Sequence, residues 1–286
     1  MYYIWKGNIV QKEAIQINLQ DRGYQFGDGL YEVVKIYNGK FFTLDEHLER
    51  MQRGAAEIYM NLSYSLDELK LLLHELKEKN KVMNGYVYFQ ITRGDEKLRN
   101  HGFDFYQEQK PVLSGFTVEN RRNLKLYEQG VTGIAVPDKR WLMCQVKSLN
   151  LLANAVAKHL AQMRGVSKAV LVRDGIVTEE KSGNVLMIKD GIIYSHPEGE
   201  KILSGITKLI IRRICLENSI PYIERPFTLE ELYAADEVLV TDTNSECASL
   251  VELDGKTIGE GRPGSLAKKI QSLYEQEVIK QCGALD

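Results

Sequence analysis

Apolar and polar residues alternate over 29–37, over 85–92 and again over 111–118, the signature of half-buried strands. In the second run Tyr86, Tyr88 and Gln90 fall on one face, and Val87, Phe89 and Ile91 on the other. Asn38-Gly39, between 29–37 and a returning 40–42, marks a tight hairpin. Thr43-Leu44-Asp45-Glu46 and Ser65-Leu66-Asp67-Glu68 both read as capping boxes, in which a hydroxyl and a carboxylate each satisfy an orphan backbone N–H. They predict helices running to about 58 and about 79.

Beyond residue 123 the pattern changes. Ser148 is expected to N-cap a helix reaching about 165. Asp174-Gly175, Asp190-Gly191 and Asp254-Gly255 mark hairpins. Further helices are predicted at about 207–218, opened by Thr207, at about 229–234 behind a Thr228-to-Glu231 capping box, and at about 265–281. The stretch 119–123 is short, polar and without period, so it is expected to link a domain at 1–118 to one at 124–286. Hairpins mixed with helices predict two α+β domains, not a doubly wound parallel sheet.

The chain's 286 residues suit that division. Its 44% hydrophobic and 27% charged content is ordinary for a globular protein. A net charge of −2 gives no global basic field, so no nucleic-acid partner is expected. No apolar run approaches about 18 residues, and the N-terminal stretch is interrupted at once by Lys6 and Gly7, so neither a membrane span nor a signal peptide is expected. Cys144, Cys215, Cys247 and Cys282 form no C-x-x-C pair, which points to free thiols in a reducing cytosol and to no metal site. Neither nucleotide-binding glycine fingerprint is present.

Five stretches could carry chemistry. Lys147 is read as standing just before a helix N-terminus, where the backbone dipole disfavours an ammonium. A neutral amine there could attack a carbonyl and form a Schiff base. Gly205-Ile206-Thr207-Lys208 offers free backbone N–H groups to a phosphate. Hydroxyls cluster at 241–245, after an apolar strand. Glu179, within 177–184, could hold a proton on a heterocyclic nitrogen. Arg99 and His101 could together bind a carboxylate. Taken singly, each has a bland alternative: a solvated lysine, an ordinary capped helix, a polar turn, a charged hairpin, a basic loop.

Taken in order, they resemble the fold-type IV pyridoxal-phosphate enzymes, most closely the D-amino acid aminotransferases. The resemblance begins with the segment 21–32, "DRGYQFGDGLYE", and the helix "EHLER" ending at Arg50. It continues through "KSLN" at Lys147 and the stretch 179–184 to "ILSGIT" at 202–207. It implies a smaller N-terminal α/β domain and a larger C-terminal mixed α/β pseudo-barrel that binds pyridoxal 5'-phosphate. Lys147 would attach the cofactor and shuttle the α-proton. Glu179 would pair with the ring nitrogen and Leu203 would pack on the ring. Arg50, the N–H groups of Ile206 and Thr207, and Thr243 would hold the phosphate. Tyr31, Arg99 and His101 would bind substrate, the loop reaching the neighbouring site of a homodimer.

The implied reaction is transfer of an amino group from a D-amino acid such as D-alanine to 2-oxoglutarate, in ping-pong order, in the cytoplasm. Branched-chain aminotransferases and aminodeoxychorismate lyases share the lysine, the glutamate and the phosphate cup, but generally not the arginine–histidine loop. Four positions depart from the family pattern. Leu98 replaces a usual proline in a loop one residue longer, Lys181 a small residue, Leu186 an aromatic and Asn244 a hydroxyl residue. These predict a less rigid loop and altered cofactor affinity or substrate range.

Overall fold

The computed structural model describes residues 1–95, 99–102 and 110–285. They form two compact units: 1–121 with 146–150 and the chain's end from 281, and 122–145 with 151–280.

The first unit holds strands β1 (Tyr2–Trp5), β2 (Asn8–Gln11), β3 (Gly29–Tyr37), β4 (Lys40–Phe41), β5 (Gly85–Thr92) and β6 (Val112–Glu119). Its helices are α1 (Arg22–Phe26), α2 (Leu44–Glu57) and α3 (Leu66–Asn80). The sheet order is β2-β1-β6-β5-β3-β4, and every pairing is antiparallel. Alternation sets the core face. Leu30, Val34, Ile36, Val87, Phe89 and Ile91 are buried, together with Leu48 and Met51 of α2 and Leu69, Leu73 and Leu76 of α3. Each such side chain contributes about 1.5–3 kcal/mol by leaving water.

The two expected capping boxes part company. Ser65 accepts from the Glu68 N–H at 3.2 Å, and the Glu68 carboxylate accepts from the Ser65 N–H at 2.8 Å. Thr43 makes no such cap. Its φ is 56°, whereas a cap needs extended backbone, and its hydroxyl donates to the Phe42 carbonyl at 2.7 Å instead.

Ser148 does not open a helix either. Residues 146–150 run extended along the start of β3. Ser148 bridges Leu30, the Tyr31 N–H donates to the Lys147 carbonyl at 3.1 Å, and the Leu149 N–H donates to the Gly29 carbonyl at 3.0 Å. Gly29 permits this approach, since a Cβ there would meet the Ile91 carbonyl oxygen at 2.6 Å and Leu149 Cδ1 at 2.8 Å. Unpaired backbone groups at the start of β3 capture the segment before a helix can form.

The second unit contains β7 (Val131–Pro137), β8 (Lys168–Arg173), β9 (Ile176–Glu180), β10 (Asn184–Lys189), β11 (Ile192–Ser195), β12 (Tyr222–Glu224), β13 (Glu237–Asp242), β14 (Glu246–Leu253) and β15 (Lys256–Thr257). Its helices are α4 (Lys125–Gln129), α5 (Leu152–Met163), α6 (Ile206–Glu217), α7 (Leu229–Tyr233) and α8 (Ser265–Cys282). The sheet runs β12-β11-β10-β13-β14-β7-β8-β9, with β15 on β14. β11/β12, β14/β7 and β7/β8 are parallel; the other pairings are antiparallel. The last strand curls back towards β10, where Glu180 bridges Gly183, which gives the mixed sheet its pseudo-barrel form.

The three Asp-Gly turns have both residues at positive φ, as two-residue hairpins require. Val170, Val177, Val185, Val240, Leu250 and Phe227 fill the core.

Candidate active site

In the first unit, β3 carries two adjacent residues of opposite character. Glu32 is in phase with buried Leu30 and Val34 and is itself fully buried. Arg50 and His47, three residues apart on α2, both face it. Arg50 Nε donates to Glu32 Oε1 at 2.8 Å and Nη2 to Oε2 at 2.7 Å, while His47 Nδ1 lies 2.7 Å from Oε2. Burial alone would raise the Glu32 carboxyl, but Arg50 and His47 outweigh it and hold it at about 2. His47 is pulled below the usual imidazole range by burial, which the Glu32 charge opposes.

Tyr31 presents its side chain to the other face, stacked on Tyr88 at 5.7 Å between ring centroids. Lys147 Nζ sits 4.3 Å from the Tyr31 ring centroid. Among the described residues that amine has no hydrogen-bond or ion-pair partner. The lysine stands beside a strand and not at a helix N-terminus, so the helix-dipole account of its reactivity falls. Arg99 and His101 are exposed, and both meet the Phe26 ring, Arg99 Cζ at 4.5 Å and the His101 ring at 5.2 Å.

In the second unit, Glu179 is buried at the end of β9. Asn184 Nδ2 donates to its Oε1 at 3.1 Å, the Leu203 backbone N–H donates to the same oxygen, and Arg140 Nη1 donates to Oε2. Arg140 is itself clamped by Asp138, through Nε to Oδ1 and Nη2 to Oδ2, both at 2.9 Å. Burial works against charge on both partners. Their attraction prevails, holding Asp138 below and Arg140 above the ordinary range.

Asn184 pairs with Thr241 across the sheet, and its Nδ2 also donates to the Leu203 carbonyl at 2.9 Å. One amide thus gathers β9, β10, β13 and the loop before α6. That helix begins at Ile206, with Gly205 and not Thr207 as its cap, and no side chain caps it. A Cβ on Gly205 would lie 2.0 Å from Asn184 Oδ1, so the close approach requires glycine.

Ile206 and Thr207 are buried in the first turn of α6. Thr243 lies in a turn organised by Asp242, whose Oδ1 accepts from the Asn244 and Ser245 N–H groups, each at 2.8 Å. Lys168 Nζ binds Asp242 Oδ2 at 3.0 Å. Among the described residues, Thr241 Oγ1 is buried without a partner.

The first unit therefore carries Tyr31, Arg50, Arg99, His101 and Lys147, and the second Glu179, Leu203, Ile206, Thr207 and Thr243. Sequence reasoning assigned no role to Glu32, His47, Asp138, Arg140 or Lys168. Glu32 had a readable signal, a carboxylate in the apolar phase of a strand. Asp138 and Arg140 had none.

Among the departing positions, Lys181 binds Glu180 at 2.6 Å, Leu186 is fully buried in β10, and Asn244 is exposed in the turn. Leu98 lies outside the described residues, with Glu96 and Lys97.

Residues 29–253 match the family model for amino-transferase class IV. The chain belongs to the class IV aminotransferase family. It is 41% identical over 281 residues to a D-alanine aminotransferase of Bacillus licheniformis, covering 98% of each chain. It is 42% identical over 272 residues to a D-alanine aminotransferase of Staphylococcus epidermidis, covering 95% of this chain and 96% of that one. Among solved structures, this class IV aminotransferase superposes on the branched-chain amino acid aminotransferase from Escherichia coli. The TM-score is 0.86 at 23% identity, over 100% of this chain and 96% of that one. At that identity the likeness is one of fold alone. No helix among the described residues is long and apolar enough to cross a membrane.

Proposed function

We propose that this chain is a pyridoxal-phosphate-dependent D-amino acid aminotransferase, moving the amino group of D-alanine to 2-oxoglutarate to give pyruvate and D-glutamate. The observation that carries the reading is near-full-length similarity, at about 40% identity, to D-alanine aminotransferases. Each unit holds donors suited to a phosphate-bearing aldehyde: in the first, the Lys147 amine, without a hydrogen-bond or ion-pair partner among the described residues, and in the second, an uncapped helix N-terminus behind Gly205 and the buried Thr241 hydroxyl, likewise without a partner among them.

Bound, pyridoxal 5'-phosphate supplies the electron sink that lets the substrate's α-proton leave. Lys147 Nζ would hold the cofactor aldehyde and, as a free amine, would move the substrate's α-proton. Glu179, paired with Arg140, would hold the proton on the ring nitrogen. Leu203 would pack against the ring. Phosphate would be held by Arg50, which Glu32 orients, by Thr243 in the turn that Asp242 organises, and by the N–H groups of Ile206 and Thr207.

Tyr31, Arg99 and His101 bind the substrate side, and the carboxylate goes to the arginine. The loop serves the neighbouring site of a homodimer. Leu152, Val156, Leu160 and Met163, spaced on one face of α5 and all exposed, supply an apolar stripe for that association. The reading places the enzyme in the cytoplasm, in keeping with four buried free cysteines.

Lys147→Ala is expected to abolish turnover and the visible absorption of lysine-bound cofactor. Full activity in that variant overturns the assignment.

A further inference from the structure

Arg22 has no part in the chemistry above, yet it is 96% buried, at 4% exposure, on the short helix α1. Its guanidinium faces two ways. Nε donates to Asp28 Oδ2 at 2.7 Å. On the other side, Nη1 donates to the Asn100 carbonyl at 2.6 Å and reaches the Gly102 carbonyl at 3.4 Å, and Nη2 reaches the His101 carbonyl at 3.4 Å. Three successive carbonyls of the loop curl around one cation.

Phe26, one helical turn beyond Arg22, completes the arrangement. Its ring lies 4.8 Å from Arg22 Cζ, and the same ring carries Arg99 and His101. The anchor is itself tied to the core. Asp28 Oδ2 also accepts from Arg93 Nε at 2.8 Å, and Arg93, 1% exposed, donates to the Ile58 and Tyr59 carbonyls at 2.7 and 2.9 Å, where α2 ends. An unbroken chain of charge-assisted bonds thus runs from the end of α2 through Arg93, Asp28 and Arg22 to the backbone of Asn100, His101 and Gly102.

We infer that Arg22 and Phe26 are positioning residues that fix the Arg99–His101 pair in the geometry needed to bind a substrate carboxylate. The inference rests on the reading of Arg99 and His101 given above. Exposed side chains on a polar loop lose conformational freedom when they bind an anion. Three backbone bonds and a shared ring remove most of that freedom in advance, so the anchor contributes to affinity without touching substrate.

The test is steady-state kinetics of the holoenzyme with D-alanine and 2-oxoglutarate for Arg22→Met and Phe26→Leu, with Arg99→Ala as reference. Arg22→Met is expected to raise KM for both substrates about tenfold, the effect of losing one charge-assisted bond, and Phe26→Leu about threefold, the effect of losing a cation–π contact, with kcat and cofactor absorption close to wild type. Arg22→Lys keeps the Asp28 pair but serves fewer carbonyls, and should fall between. Hydrogen exchange over 99–102 should quicken in Arg22→Met.

Wild-type KM in both variants, while Arg99→Ala raises it, overturns the inference and leaves the carboxylate trap standing. A parallel fall in kcat and cofactor affinity with unchanged KM also overturns it, in favour of a merely structural arginine. Wild-type KM in Arg99→Ala removes the trap itself, and the inference with it.

Discussion

Glu32 and Glu179 are both buried carboxylates held by an arginine, but their surroundings are assembled in different ways. Glu32 draws both side-chain partners from one face of α2, at positions three residues apart, so a single helix–strand packing completes the cluster. Glu179 draws on Arg140, Asn184 and the backbone of Leu203, which come from three separate stretches of chain. The first arrangement is completed by one local packing contact. The second is complete only when β9, β10 and the loop before α6 have all found their places. The lesson is that charge pairing in the first unit belongs to secondary-structure packing, whereas in the second it depends on the closing of the sheet.

Removing the carboxylate from the local cluster should cost most. Glu32→Gln leaves the buried Arg50 guanidinium without its counter-charge, and a loss of about 3–5 kcal/mol is expected in denaturant unfolding. A loss below about 1 kcal/mol would mean that water or another group replaces the carboxylate. Arg140→Met should cost less, about 1.5–3 kcal/mol, the worth of hydrogen bonds to a charged group. It should also lower affinity for pyridoxal 5'-phosphate, measured by dialysis, because Glu179 loses its paired cation.

Acid should separate the two clusters further. The Glu32 carboxyl is depressed from its ordinary value near 4.5 to about 2, so its contribution is intact above about pH 4.5 and fades as pH falls towards 2. Glu32→Gln should therefore flatten the acid limb of the stability profile in that window. An unchanged limb would contradict the depression.

The smallest effect lies in the caps. Ser65→Ala should cost about 1 kcal/mol, and Thr43→Ala should show no loss attributable to capping, although both residues open the same four-residue motif.

That pair also shows what the sequence could and could not reveal. Alternation located β3, β5 and β6, and Asn-Gly and Asp-Gly located the hairpins, because these signals act over a few residues. The motif at Thr43 misled because the chain enters α2 with left-handed backbone, a consequence of the preceding hairpin that no local pattern reports. Ser148 misled for a related reason. Its backbone bonds to a strand more than a hundred residues earlier, and that pairing competes with a local helix. The candidate site residues were chosen through family resemblance and not through chemistry, since Lys147 alone reads as any surface lysine. The Asp138–Arg140 clamp and the Arg22 anchor were visible in neither way, because their meaning lies in carbonyls and carboxylates brought close only by folding.

The most direct measurement of the central claim is a half-reaction, in which holoenzyme is mixed with D-alanine and no acceptor while the visible spectrum is recorded and pyruvate assayed. The account predicts loss of the lysine-bound cofactor band with one pyruvate per site, and little change with L-leucine. A spectrum that responds to L-leucine and not to D-alanine would contradict it.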